Sequence, residues 1–198
     1  MVTAGFLGTK PMLPALSRMG YTEKAYDLFL RTEYPSWGFE IINGATTIWE
    51  RWNSYTHEEG FGGKRNAGMN SFNHYAFGAV CEWMYEHAAG IKASSPAYRS
   101  VIIRPEVDKR LGFLESEYAS ISGLIRSNWK FEDSGLRMQV RIPVNVDAMI
   151  HVPAPAAEQV TEGGVAAQEA AGLQFLSMED GYAVFRAGSG EYDFFIRY

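Results

Sequence analysis

The spacing of apolar residues changes near Gly90, and this change divides the chain into two kinds of structure. Before Gly90, apolar side chains recur with the 3.6-residue period of an amphipathic helix. After Gly90, short apolar runs are separated by Gly, Pro, Asn and Asp, which is the pattern of β-strands joined by turns. The sequence therefore predicts helices followed by an all-β part, with the boundary between Gly90 and Val101.

Three helices are predicted in the first part. The first covers residues 11–19, and the second begins with Thr22 as its N-cap. The third covers about residues 71–89, where apolar side chains keep a regular helical period, with Asn70 or Ser71 as its cap. Helices joined by short turns are expected to pack as antiparallel pairs.

Short strands are predicted after Gly90. They cover residues 101–103, 117–121, 124–131, 136–142, 148–152, 173–178, 182–186 and 190–198, with one more strand around Val160. Turn residues lie between most of them. About eight short strands at this spacing favour a β-sandwich.

Residues 34–68 show no sustained period, and the segment is longer than a compact domain usually leaves without secondary structure. Long loops on a helical scaffold are where binding residues concentrate. Within this loop, Glu50 stands between Trp49 and Trp52, and Arg51 follows it. Flat indole rings beside a carboxylate suit a sugar site, although the same residues could form a structural ion pair among packed rings.

Other motifs surround this segment in a fixed order. They are GFLGT at 5–9, LPAL at 13–16, YPSWG at 34–38, MNSFNHYAFG at 69–78, IRP at 103–105 and GSGEY at 188–192. In this order, the segments resemble the C-terminal part of bacterial α-L-rhamnosidases, glycoside hydrolase family 78. The resemblance covers nearly the whole chain.

The resemblance implies a fold and an incomplete enzyme. Residues 1–95 would supply the last helices of an (α/α)6 toroid, and residues 96–198 would form an antiparallel β-sandwich. The family carries its general acid in an acidic motif that lies upstream of the region matched here. We therefore expect the chain alone to be catalytically silent, and its helical part to self-associate through the incomplete toroid.

The resemblance also assigns site residues. The family inverts the anomeric carbon, and Glu50 aligns with its general base, which needs a partner carboxyl about 6.5–9.5 Å away so that a water fits between them. A neighbouring Arg51 would favour the ionised carboxylate. The alternative is that Glu50 only pairs with Arg51 to satisfy a partly buried charge.

Three tryptophans and one histidine are predicted to contact the sugar. Trp49 and Trp52 would stack on the apolar ring of rhamnose, and Trp37 is a weaker candidate for the same wall. His74 would contact a sugar hydroxyl, as the family's histidine does in this Asn-His-Tyr motif. Core packing of the indoles and a structural hydrogen bond of the histidine are the alternatives.

Composition excludes several other functions. The net charge of −5 and the absence of a Lys/Arg-rich run argue against a nucleic-acid surface. No apolar run reaches the about 20 residues of a membrane span. Cys81 is the single cysteine, so neither an intrachain disulfide nor a cysteine metal site is expected, and we expect its thiol to be buried. The loop cluster His57, Glu58 and Glu59 lacks a second histidine and predicts no metal.

The sequence thus predicts a fragment of an inverting glycoside hydrolase that releases terminal α-L-rhamnose from rhamnosides, its partners being rhamnose-containing glycosides. No cofactor is expected. Two alternatives stay open: a related toroid glycosidase with another sugar preference, and a non-catalytic carbohydrate-binding fragment. The residues after Met1 do not form a signal peptide, and the localisation is left open.

Overall fold

The structure is a computed structural model that describes residues 4–61 and 68–198. The described residues fall into two compact units, of which the first extends to Trp83 and the second is Met84–Tyr198. This division lies earlier in the chain than the predicted division after residue 95. Within the described residues, none of the helices has the length and apolar character needed to cross a membrane.

The first unit is mainly helical. Its helices are α1 (Gly5–Arg18), α2 (Thr22–Phe29), α3 (Trp37–Ile42), α4 (Tyr75–Gly78) and α5 (Val80–Trp83). Helix α1 starts before the predicted residue 11, because the helix continues through Pro11 and Pro14 rather than starting at a proline. Thr22 is the first residue of α2 and not its cap.

Trp83 is the centre of the core of this unit. Its ring is fully buried, and Nε1 donates to the Ser17 Oγ of α1 at 2.9 Å. The rings of Tyr26 and Phe29 from α2 each lie 5.1 Å from the Trp83 ring. One side chain therefore joins the α1–α2 hairpin to α5, and burying so large a ring contributes a few kcal/mol.

The predicted third helix starts later than expected and is broken into α4, α5 and a π-helical turn at Met84–Ala88. Asn70 and Ser71 do not cap it, because the helix starts at Tyr75 with His74 as its N-cap; the prediction of the cap was wrong. The prediction that Cys81 is buried was also wrong. The neighbouring Val80 and Trp83 occupy the buried face, so Cys81 lies on the exposed one.

The irregular segment between α2 and α4 contains some local structure. Besides α3, it has the two-residue strands β1 (Tyr55–Thr56) and β2 (Gly60–Phe61), which pair antiparallel. Residues 62–67 of this segment lie outside the described residues.

The second unit, described without a gap, confirms the β-sandwich. Its strands are β3 (Ile91–Ala93), β4 (Ser100–Ile103), β5 (Phe113–Leu114), β6 (Glu117–Ser120), β7 (Gly123–Glu132), β8 (Gly135–Ile142), β9 (Asp147–Pro153), β10 (Val160–Glu162), β11 (Val165–Ala166), β12 (Leu173–Glu179), β13 (Tyr182–Ala187) and β14 (Gly190–Arg197). Short 3-10 helices occur at Pro96–Tyr98, Ala157–Gln159 and Ala167–Glu169. The short edge strands β3, β5 and β11 were not predicted, because two or three residues carry too little alternation.

The strands form two sheets. One has seven strands in the order β11-β10-β14-β8-β7-β5, with β6 also paired to β7; the other has five in the order β12-β13-β9-β4-β3. All pairs are antiparallel except β4 with β9. The apolar faces of both sheets meet in one core that includes Phe185 and Phe194, whose rings are 5.9 Å apart.

The segment that leads into β3 is part of the sandwich core. The Ser127 Oγ donates to Ala89 O at 2.6 Å, and Trp129 Nε1 donates to Ala88 O at 2.8 Å. Gly90 follows with φ +74°, and a Cβ there would lie 2.1 Å from the Arg104 carbonyl carbon. Only glycine fits this position.

Candidate active site

The candidate site is built from two loops that run side by side, residues 47–54 and residues 69–74, here called the paired loops. Two backbone hydrogen bonds join them, since His74 N–H donates to Ile48 O at 2.9 Å and Glu50 N–H donates to Ser71 O at 2.9 Å. The Thr47 side-chain hydroxyl also donates to Phe72 O. The loops are thereby held together without a regular strand. Because they share these bonds, a side chain on one loop has a fixed position relative to the other.

A turn after Glu50 adds further contacts between the paired loops. Ser54 is fully buried, and its Oγ lies 2.9 Å from both Arg51 O and Asn70 Oδ1. The Arg51 guanidinium donates to Met69 O at 3.0 Å. These polar contacts stabilise the turn by satisfying groups that would otherwise be buried without partners.

The Glu50 carboxylate is anchored through one oxygen. Its Oε2 accepts the Ser71 N–H at 2.7 Å, so the same residue binds both the backbone and the side chain of Glu50. Among the described residues, no second donor reaches this carboxylate. A half-buried carboxylate held in this way leaves its other oxygen to accept a proton from water, as a general base requires.

The three tryptophans named from the sequence pack against other aromatic rings in two groups. Trp52 stacks on Phe77 with ring centroids 3.8 Å apart, and Trp37 meets Trp52 edge to face at 5.2 Å. Trp37 Nε1 also donates to Phe77 O at 3.0 Å. Trp49 packs edge to face against Phe72 at 5.7 Å. These indoles are only 4–8% exposed, so other side chains cover most of each ring, and their contact with sugar stays a prediction.

His74 is the N-cap of α4. Its Nδ1 accepts the Ala76 N–H at 3.2 Å, and its ring lies between those of Phe6 at 4.9 Å and Tyr75 at 5.2 Å. Because a backbone N–H can only donate, Nδ1 is the unprotonated nitrogen, and the ring proton lies on Nε2. The histidine is therefore held as a neutral hydrogen-bond donor.

An open groove of about 520 Å³ lies against the two rings that flank His74. Its apolar wall includes Phe6 and Tyr75, the two rings that flank the histidine, and Leu7. Lys10 and Glu82 also line it and form an ion pair at 3.4 Å. Apolar walls with a few polar groups are typical of small-ligand sites.

Comparison with known proteins decides the family. The bacterial α-L-rhamnosidase 6 hairpin glycosidase domain matches residues 1–88, and the bacterial α-L-rhamnosidase C-terminal domain matches residues 90–167. The chain belongs to the bacterial α-L-rhamnosidase family. The resemblance and the fold class inferred from the motifs are thus confirmed.

Individual rhamnosidases agree with this assignment. The α-L-rhamnosidase of Streptomyces avermitilis is 39% identical over 195 residues, which are 98% of this chain and 18% of that protein. The α-L-rhamnosidase of Alteromonas sp. (strain LOR) is 43% identical over 150 residues, which are 76% of this chain and 16% of that protein. The crystal structure of the Streptomyces avermitilis enzyme complexed with L-rhamnose superposes with a TM-score of 0.85 at 38% identity, over 98% of this chain and 18% of that one.

The chain spans about a fifth of the length of these rhamnosidases. The part that it spans includes all the predicted site residues, and the structure brings Glu50, His74 and the three tryptophans to the paired loops or to the helices that contact them. Among the described residues, no group of three or more His, Cys, Asp and Glu side chains is arranged to hold a metal ion.

One residue of the candidate site was missed from the sequence. Glu40 of α3 is buried, and its Oε2 accepts the Trp49 N–H at 3.3 Å. Burial raises the pKa of this carboxyl from 4.5 to about 8, and the Trp49 hydrogen bond lowers it in part. The only signal in the sequence was a single glutamate among the apolar residues of the run 39–42. A search for motifs does not detect such a signal.

Proposed function

We propose that this chain supplies the general base and part of the sugar pocket of an inverting α-L-rhamnosidase. The observation that carries the proposal is the anchored carboxylate of Glu50, with one oxygen bound to the Ser71 N–H. The neutral His74 nearby on the paired loops supports it. The family membership and the rhamnose complex of the Streptomyces avermitilis relative support the choice of sugar.

In the proposed reaction, Glu50 takes a proton from a water molecule while the oxygen of that water bonds to the anomeric carbon. The glycosidic C–O bond breaks at the same time, and a second carboxyl group gives its proton to the leaving oxygen. We expect that general acid to come from a part of the enzyme outside these 198 residues. An inverting enzyme places it about 6.5–9.5 Å from the base.

Other residues of the site would bind the sugar. The His74 Nε2–H is fixed as a donor and would bind a hydroxyl oxygen of rhamnose. The edges of Trp49 and Trp52, with Trp37 behind them, would form the apolar side of the pocket. For these indoles the assignment rests on the motif, since their rings are buried against other aromatic rings.

The test is Glu50→Gln in the complete enzyme that contains this chain. The amide can still accept the Ser71 N–H but cannot take a proton, so kcat should fall by about a hundredfold or more with little change in rhamnose binding. Glu58→Gln, an exposed carboxylate on the tip of the same loop, is the matched control and should keep full activity. Azide should restore turnover in Glu50→Gln, because it attacks without a base.

Near-normal turnover of Glu50→Gln on nitrophenyl α-L-rhamnoside would exclude Glu50 as the base. The chain alone should release no nitrophenol above the buffer rate. Turnover by a pure preparation of the chain alone would contradict the expectation that the general acid lies outside it.

A further inference from the structure

Helix α3 is fixed at both of its ends by buried side chains. The Oγ of the fully buried Ser36 accepts the Phe39 N–H at 3.0 Å and caps the first turn. At the other end, Asn43 Nδ2 donates to Phe39 O at 2.9 Å, and Asn43 Oδ1 accepts the His57 N–H at 3.2 Å. A side chain in the middle of α3 therefore has a defined position relative to the loop that it faces.

Glu40 connects this helix to the paired loops. Its side chain is 2% exposed, and its Oε2 accepts the N–H of Trp49, the residue that precedes the proposed base. On the other side, Ser71 binds the backbone and the carboxylate of Glu50. The peptide that carries the base is thus held from two separate segments.

Packing alone does not account for a glutamate at this position. Among the described residues Oε1 has no hydrogen-bond partner, and burial keeps the carboxyl neutral at neutral pH by raising its pKa to about 8. An apolar side chain of similar size would fill the same space without burying an unpaired polar atom. What Glu40 adds is a fixed acceptor for the Trp49 N–H.

We propose that Glu40 is a positioning residue, which holds the Trp49–Glu50 peptide against α3 and so sets the place of the base carboxylate relative to the anomeric carbon. This inference rests on the proposed function, because it requires Glu50 to be the base. Displacing a catalytic group by about 1 Å can cost about a hundredfold in rate. The position of the base, rather than the affinity for sugar, is what Glu40 controls.

The experiment compares three variants in the complete enzyme. Glu40→Leu fills the site but removes the acceptor, and Glu40→Asp keeps a carboxyl but withdraws it by one methylene. Both should lower kcat by about ten- to a hundredfold while KM changes by less than about threefold. Glu40→Gln keeps an acceptor at the same reach, and its kcat should stay within about threefold of the wild type.

Rescue of turnover by azide distinguishes a positioning role of Glu40 from a purely structural one. An external nucleophile needs no base, so azide should raise the turnover of Glu40→Leu and Glu40→Asp, as it does for Glu50→Gln. If either variant folds and keeps the wild-type kcat, the proposal is wrong. It is also wrong if folded Glu40→Gln loses as much activity as the other variants. This second outcome still tests the proposal if Glu40→Leu does not fold, because Glu40→Gln can then be compared with Glu40→Asp.

The two proposals fail separately. If Glu50→Gln keeps its activity, the proposed function is wrong whatever Glu40 does. If Glu50→Gln is inactive and rescued by azide but the Glu40 variants keep the wild-type kcat, only the role of Glu40 is wrong.

Discussion

At the scale of single residues, the candidate site depends on neutral or anchored polar groups. One ring nitrogen of His74, Nδ1, accepts a hydrogen bond that caps α4, so the other, Nε2, is a donor of known direction. Glu50 and Glu40 are two carboxyl groups in different surroundings: one half-buried and bound to a backbone N–H, the other buried and neutral. Environment, and not residue type, distinguishes the proposed base from the buried acid.

The titration of Glu40 should be visible in how the stability of the protein depends on pH. Its pKa is about 8 in the folded protein, raised from the ordinary value of 4.5, so between these pH values the folded state keeps a proton that the unfolded state has lost. Stability from this group is full below pH 4.5 and is lost as the pH rises through 8. Glu40→Gln removes the titration, and the wild type should lose up to about 1.4 kcal/mol per pH unit relative to it.

Urea unfolding of both proteins across this range is the measurement. Tryptophan fluorescence follows the relevant unit, because Trp37, Trp49, Trp52 and Trp83 all lie in it. The segments around Glu40 carry other titratable side chains, including those of Tyr34, Glu50, Tyr55, His57 and His74, and all of them are common to both proteins. Parallel stability curves would show that Glu40 is ionised throughout.

At the scale of elements, short irregular segments of fixed geometry determine where helix α4 and strand β3 begin. Helix α4 starts at Tyr75, with His74 as its N-cap, because the preceding residues bind the other loop. Strand β3, which pairs with β4, starts directly after Gly90. Gly90 has a positive φ and also lies against the backbone of Arg104, whose N–H donates to Gly90 O at 2.9 Å. Two separate physical requirements thus fall on one residue.

Gly90→Ala and Gly112→Ala separate these requirements. Gly112 has a similar φ of +80° but nothing within 4 Å of an added Cβ. Gly112→Ala should cost only the left-handed backbone strain of about 1–2 kcal/mol. Gly90→Ala should cost about 1–3 kcal/mol more, because the Cβ must displace backbone. Chemical denaturation of the two variants checks this, and equal losses would show that the clash is relieved at no cost.

At the scale of the whole molecule, the β-sandwich includes residues that precede its first predicted strand. His87 and Glu106 form a buried pair, with Nδ1 2.7 Å from Oε1, and both lie in the second unit. Ala88 and Ala89 accept hydrogen bonds from side chains of β7. The division predicted after residue 95 would separate all of these partners.

Two fragments test where the sandwich begins. A fragment of residues 96–198 lacks β3, and it leaves Glu106, Ser127 and Trp129 without the partners that 84–198 retains. Each buried polar group left unpaired costs about 1–3 kcal/mol. We therefore expect 96–198 to melt more than about 10 °C below 84–198. Equal melting temperatures in calorimetry would support the later boundary.

The sequence by itself determined the two kinds of structure, the order of the motifs and the family, because periodicity and motif spacing are local properties of the chain. It also named Glu50 and His74, since both lie within recognisable motifs. It could not find Glu40, the broken third helix or the exposure of Cys81. Each of these depends on contacts between residues distant in the chain: Glu40 with Trp49, Asn70 with Ser54, and Trp83 with Ser17. Only the tertiary structure decides them, because burial and hydrogen-bond partners exist only once the segments are packed together.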